Sequence, residues 1–311
     1  MIGSHLVRRL LPEHEVIVVD NFSRGKKEYI KDLPVRVVEG DLTDPDLAVR
    51  ETVGVDEVYH LASINAGIGY LRTYQTDIAI TNILININVL KAAMKNGVDR
   101  FLFTSSACMY PQEKQNHPLA APLKETDDHP SNPDSTYGWA KLNMEQMMSH
   151  AMREKNLQAA IVRLFNVYGP HEDWSVDSHV LPSTCRKAIR YPKEPFIIWG
   201  DGEQTRSFLY VEDAVDALIL AMQKGINQGP INIGQTDRIS INGLADRIIK
   251  LSGKSIEILH DPSKEVGVVG RAPDITKARN LLMWEPRIRM CDGLLFTYSW
   301  VRDKVEGSEN E

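Results

Sequence analysis

The feature that most constrains this chain is an alternation of short apolar, β-branched runs with helical patterns. The runs occupy residues 15–20, 35–39, 57–61 and 100–104, and each has the length and composition of a buried parallel strand. Between them lies a helix predicted over 81–95, where Ile83, Ile87, Leu90 and Met94 recur at helical spacing before Asn96-Gly97 stops it. Strands that alternate with helices in this way build an α/β doubly wound parallel sheet. Further helices are predicted over 137–154, 211–223 and 241–251, and further strands over 159–164 and 230–234. The Pro- and Gly-rich stretch 168–202 reads as irregular and as the start of a second lobe, and residues 304–311 read as a solvated tail.

The beginning of the chain departs from that pattern. Residues 1–11 read as a helix from about Ser4, whereas a doubly wound sheet normally opens with a strand that feeds a Gly-rich turn into such a helix. The first strand and most of the Gly-rich loop are therefore expected to be missing from this chain. Gly3 alone can stand as the last glycine of that turn, the one that lets the helix pack on the sheet. An in-frame strand ending in Gly-x-x-Gly, encoded upstream, would reconcile the two.

Bulk properties narrow the function. Among 311 residues, 42% are apolar and 25% charged, ordinary values for a soluble globular protein, and no uninterrupted apolar run has the ~18 residues of a membrane span. A net charge of −6 disfavours nonspecific binding to nucleic acid, which depends on a basic surface. Cys108, Cys185 and Cys291 are odd in number and lack paired metal-site spacing, which fits a reducing cytoplasm. Neither the nine histidines nor the carboxylates cluster with metal-ligand spacing, so no metal is expected, and no Gly-x-Ser-x-Gly elbow is present. No secretory signal is visible, and neither a membrane nor a nucleic-acid partner is expected.

Several residues are of types and spacings that carry chemistry. Asp20 closes a strand before Asn21-Phe22-Ser23, where a carboxylate can accept hydrogen bonds from adenosine ribose and favour NAD; the alternative is an ordinary strand-end Asp. Arg24 and Lys26 are the contrary candidates, for a 2′-phosphate and NADP. Asp41-Leu42 is placed either to flank the adenine or to form a turn and N-cap. Tyr137 and Lys141 are four apart, hence on one helix face, and the lysine charge is expected to lower the phenol's pKa so that Tyr137 exchanges a proton during hydride transfer. A Thr104-Ser-Ser106 cluster ends a strand, at the sheet edge where ligands gather. Cys108, two residues on, is either a thiol presented to substrate or a small buried cysteine. His179 is either the opposing acid or an incidental loop histidine, and Arg206 and Arg271 are candidates for a diphosphate or ordinary surface arginines.

Taken together, Ile2-Gly-Ser-His-Leu6, Val18-Val-Asp-Asn-Phe-Ser23, Gly40-Asp41-Leu42, His60-Leu61-Ala62, Thr104-Ser-Ser106, Tyr137-x-x-x-Lys141 and Arg163-Leu-Phe-Asn166-Val-Tyr-Gly-Pro170 resemble the extended short-chain dehydrogenase/reductase family of NAD-dependent nucleotide-sugar epimerases and dehydratases. The resemblance implies a Rossmann NAD(P) domain over residues 1–165, also receiving roughly 205–250. It implies a nucleotide-sugar lobe over 166–204 plus 251–311, and a homodimer packed through the helices near 81–95 and 137–154. Ser106, Tyr137 and Lys141 match the catalytic triad. Gly3, Asp20, Asn21, Ser23, Asp41, Leu42, Leu61, Ala62 and Thr104 match cofactor positions, and Asn166 matches a substrate contact.

Ser105-Ser-Ala-Cys108-Met-Tyr-Pro111, Cys185-Arg186-Lys187-Ala188 and Trp199-Gly-Asp-Gly-Glu-Gln-Thr-Arg206-Ser-Phe208 are most similar to the GDP-mannose 3,5-epimerase branch, and point to Arg186 and Lys187 as substrate-binding. The lysine paired there with the cysteine is absent. Asp177-Ser-His179-Val-Leu-Pro182 is closer to the GDP-L-fucose synthase branch, an epimerase-reductase, where a cysteine and a histidine perform the epimerisations. The expected activity is epimerisation of a GDP-hexose through a transient 4-keto sugar. The alternatives are that epimerase-reductase, a UDP-sugar 4-epimerase or decarboxylase that leaves Cys108 idle, and a truncated, purely binding relative.

Overall fold

The computed structural model describes residues 1–308. From the N-terminus come α1 (Ile2–Leu10), β1 (Ile17–Asp20), β2 (Arg36–Glu39), α2 (Pro45–Glu51), β3 (Glu57–His60), α3 (Ile68–Thr73), α4 (Gln75–Asn96) and β4 (Arg100–Ser106). Next are α5 (Thr136–Lys155), β5 (Ala159–Leu164), β6 (Val167–Tyr168), α6 (Val180–Arg190), β7 (Ile197–Trp199), β8 (Thr205–Arg206) and β9 (Leu209–Tyr210). The chain ends with α7 (Val211–Lys224), β10 (Pro230–Ile233), β11 (Ile239–Ser240), α8 (Ile241–Ser252), β12 (Leu259–Asp261), β13 (Gly270–Arg271), α9 (Thr276–Leu282) and α10 (Met290–Ser308).

Strands β10, β5, β4 and β3 form a parallel sheet in that order. Its central strands show why parallel sheets need helices on both faces. Leu102 of β4 and Ala160 and Val162 of β5 point into one apolar cluster with Ala214, Leu218 and Met222 of α7. The alternating residues Phe101, Phe103, Ala159 and Ile161 point the other way, onto Val89 and Leu90 of α4 and Met144 and Met148 of α5. A third cluster gathers α6, α8 and α10 around Leu181, Cys185, Phe196, Leu244, Ile248, Leu294 and Val301.

β1 and β2 pair only with each other, as a separate two-stranded parallel sheet. The unpaired edges of β1 and β3 line one cavity, together with Leu6, Val7 and Leu10 of α1, and among the described residues no strand joins them.

Three expectations need correction. α4 starts at Gln75 rather than 81, and its inward face is Ile78, Asn82, Ile85, Asn86 and Val89, whereas Ile83 and Ile87 are only half-buried and Met94 is exposed. The spacing misled because two asparagines face inward. Asn82 bonds both the N–H and the C=O of Ile64, and Asn86 Oδ1 lies 2.9 Å from His60 Nε2. α4 is long and apolar enough to cross a membrane, but half of it is buried against its own protein. The irregular stretch 168–202 contains α6. Pro182 sits in its first turn, where the missing N–H has no helical partner to lose, and Leu181, Cys185 and Ala188 supply the apolar spacing. The supposed tail from Lys304 continues α10 to Ser308 and buries Val305; residues 309–311 lie outside the described residues.

Candidate active site

β1, β3 and β4 end at the rim of a cavity of about 1870 Å³, and every sequence-predicted site residue lines it. One end is built by loops after β1 and β2. Asp20 Oδ1 accepts the Phe22 N–H at 2.7 Å, Asn21 Nδ2 donates to Asp41 Oδ2 at 3.1 Å, and Asn21 Oδ1 accepts the Ser23 N–H. Asp41 is held below the usual carboxylate range, chiefly by the Thr43 N–H and hydroxyl. Arg24, the contrary candidate for a 2′-phosphate, stacks over Tyr70 and pairs with Asp173 at 3.3 Å.

The other end belongs to β4 and α5. Ser106 ends β4, and its hydroxyl accepts the Cys108 N–H at 3.2 Å. Ser135 caps α5 by accepting the Gly138 N–H, which starts the helix one residue before Tyr137. Gly138 allows a close approach: a Cβ there would lie 2.1 Å from the Cys108 carbonyl oxygen. The helix that carries Tyr137 and the turn that carries Cys108 are thereby pressed together, and Cys108 packs beside Tyr137.

Lys141 is buried, donates to the Thr104 carbonyl at 2.7 Å and lies 5.5 Å from the Tyr137 ring centre. Burial pushes it down to about 7, against the pull of Cys108 and Glu145. The expected lowering of the phenol is not found. Burial raises Tyr137 and Cys108 adds to the rise, while hydrogen bonds with Ser106 and Ser63 act the other way. Behind the site Arg163, fully buried, donates to Glu145 at 2.6 Å, Asp128 at 2.8 Å and the Tyr110 hydroxyl at 2.9 Å. Glu145 also accepts from Ser105. This network ties β4, β5 and α5 into one frame.

The third wall comes from the later elements. Arg271 donates Nε to Gln115 Oε1 at 2.5 Å and Nη1 to Cys108 Sγ at 3.3 Å, with Asp134 3.6 Å away. Burial works against its charge, but Cys108 and Asp134 outweigh it and hold Arg271 above its usual value. Arg271, a candidate for the diphosphate, is bonded to the thiol. Arg206 spends its donors on the carbonyls of Thr205, Val266 and Val268, and burial, with Arg271 nearby, brings it down to about 9. Arg186 is taken by Glu194 and the Trp174 carbonyl, Lys187 by the Ile197 carbonyl, and Asn166 donates to the Ser207 carbonyl. These four side chains line the cavity with protein partners already in hand.

His179 stands at the N-cap of α6, and its Nδ1 lies 3.0 Å from Glu172 Oε1. Its loop is seated on Gly67, whose N–H donates to the Asp177 carbonyl, and a Cβ at Gly67 would sit 2.5 Å from the Ser178 carbonyl oxygen. Sequence reasoning missed Glu172, Gln115, Asp134 and Ser63. Only their proximity in the fold marks them, since no spacing links them to the residues they touch. Among the described residues no cluster fit for a metal ion is found.

The NAD dependent epimerase/dehydratase family matches residues 1–234. GDP-mannose 3,5-epimerase 1 of Oryza sativa subsp. japonica is 34% identical over 312 residues, covering 100% of this chain and 81% of its own. UDP-glucuronic acid decarboxylase 2 of Arabidopsis thaliana is also 34% identical, covering 100% of this chain and 68% of its own. The crystal structure of a UDP-glucose 4-epimerase from Thermotoga maritima, solved with UDP-glucose, superposes with a TM-score of 0.90 at 31% identity, over 98% of this chain and 96% of that one.

Proposed function

Because the chain belongs to the NAD dependent epimerase/dehydratase family, an enzyme family acting on nucleotide sugars, we propose that it epimerises the hexose of a GDP-sugar through a transient 4-keto form. NAD, when bound, supplies reversible hydride transfer at C4. The residues present fit it. Asp20, Asn21 and Asp41 offer acceptors for the adenosine end, with Gly3, Ser23, Leu42, Leu61 and Ala62 on the same wall, and Lys141 has donors to spare beyond its bond to Thr104. The division into a cofactor domain and a nucleotide-sugar lobe, the latter formed around α6 and α10, is part of the same proposal.

Tyr137, bonded to Ser106, removes the proton from the sugar C4 hydroxyl and returns it. The keto group acidifies the C–H bonds on either side, and there Cys108 and His179 give and take protons. The observation that supports a 3,5-epimerase over a reading that needs only the triad is the thiol itself. Cys108 Sγ lines the cavity beside Tyr137, and the buried Arg271 guanidinium donates to it at 3.3 Å. A 4-epimerase or decarboxylase has no task for that pair.

The test is incubation of the protein and NAD with GDP-mannose in deuterated water, followed by NMR. Deuterium at C3 or C5 with no net consumption of NAD is the expected result, and Tyr137→Phe should slow it by about 10²–10⁴-fold. In a parallel incubation with NAD(P)H in place of NAD, deuterium incorporation accompanied by consumption of the reduced cofactor would transfer the assignment to an epimerase-reductase. No deuterium from any GDP-hexose would remove Cys108 and His179 from the mechanism.

A further inference from the structure

The carboxylate behind His179 has no part in the chemistry so far. Glu172 is 6% exposed, and while its Oε1 meets His179 Nδ1 at 3.0 Å, its Oε2 is buried without a hydrogen-bond partner among the described residues. Leaving a carboxylate oxygen buried and unpaired is costly, so the fold keeps Glu172 where it is at some expense. The Cys185 thiol also faces it. His179, by contrast, has 45% of its side chain exposed on the cavity wall.

Resting on the epimerase reading above, we propose that Glu172 is a positioning residue that fixes the His179 ring, so that Nδ1 carries a proton to the carboxylate and Nε2 is the atom that trades protons with the sugar carbon. The chemistry follows from the two nitrogens. A neutral imidazole is a donor at one nitrogen and an acceptor at the other, and a carboxylate can only accept. With Nδ1–H held by Glu172, Nε2 is the bare lone pair left to take the carbon-bound proton. The proton returns from Nε2 to carbon when the configuration is set, so the cycle balances without a further reactant.

The local structure supports a fixed ring rather than a wandering one. His179 begins α6, and its preceding turn is closed by the Ser178 hydroxyl on the Ser175 carbonyl at 2.7 Å and by the seat of Asp177 on Gly67. Glu172 lies at the other end of that same loop. The backbone on the His179 side of the pair is thus tied down.

Two measurements test this. The first needs no substrate: in protein labelled with 15N-histidine, wild type should show His179 as the Nδ1–H tautomer, and Glu172→Gln should lose that preference. An Nε2–H tautomer in wild type overturns the proposal. The second uses GDP-mannose with NAD in deuterated water. Glu172→Gln should cut deuterium incorporation at the carbon served by His179 at least ~10-fold, through kcat with KM little changed, and should alter the acid limb of its pH profile. Glu172→Asp, which keeps the charge, should recover part of the loss, and the early transfer of hydride to NAD should survive in both variants. Unchanged exchange in Glu172→Gln, with wild type active, overturns the positioning role alone. Hydride transfer without any deuterium in wild type would instead defeat the epimerase reading, and the tautomer measurement would still decide whether Glu172 orders His179.

Discussion

The β4–β5 region and the β1–β2 region carry the two ends of one cavity, yet they are built to different standards. β4 is paired on both sides, both of its faces are covered, and Arg163 locks β5 to α5 and the 125–128 turn beneath Ser106, Tyr137 and Lys141. β1 has a partner on one side only, and Ile17 and Val37 are 39% and 40% exposed. The difference teaches that the groups proposed for proton transfer are preorganised by burial and buried ion pairing, whereas the end proposed for adenosine is built from short loops that hydrogen-bond mainly to themselves.

The strongest way to break that comparison is to remove the frame. Glu145→Ala leaves Arg163 as a buried cation short of its main partner, and should destabilise the protein by about 3–5 kcal/mol in urea unfolding. A loss below 1 kcal/mol would mean that the β4–β5 region does not owe its rigidity to this pair.

The next effect is read by pH. His60, at the end of β3, is buried and held down to about 4, mainly by burial, with Lys141 adding. The folded protein therefore refuses a proton that the unfolded chain accepts below about pH 6.5. Stability is full above that pH and falls as the pH drops towards 4, by about 3 kcal/mol at ~1.4 kcal/mol per unit. Denaturant midpoints across this range should show the slope, and His60→Gln should remove its share.

On the adenosine side, Asp20→Ala should weaken NAD by about 1.5–3 kcal/mol, the worth of hydrogen bonds to a charged group, while leaving urea stability nearly unchanged. Calorimetric titration decides it, and an unaltered Kd would remove Asp20 from the cofactor site. Last, amides of β1 should exchange with deuterium at least ~10-fold faster than those of β4, a gap of about 1.4 kcal/mol in opening free energy. Equal protection would show the two regions to be one cooperative unit.

The legible parts of this protein were those that repeat or sit close together in the chain. β-Branched runs gave the strands because both faces of β4 and β5 are buried, so no alternation was needed to recognise them. Tyr137 and Lys141 were legible because a helix turn brings them together, and Ser106 because it ends a strand. α6 was lost behind Pro182, although Leu181, Cys185 and Ala188 carried the signal. The inward face of α4 was misread because Asn82 and Asn86 are satisfied by loop backbone and by His60, partners that local patterning does not reveal.

What the sequence by itself determined is the doubly wound architecture and the roster of residues around one cavity, since each follows from local propensity, strand-end position or helical spacing. The tertiary structure decided what each of those residues holds. Arg271 is committed to Cys108 across 163 positions and Glu172 to His179 across a loop, while burial holds the Tyr137 phenol up. Such pairings and desolvation depend on which elements the folded core brings together, and spacing along the chain does not record that.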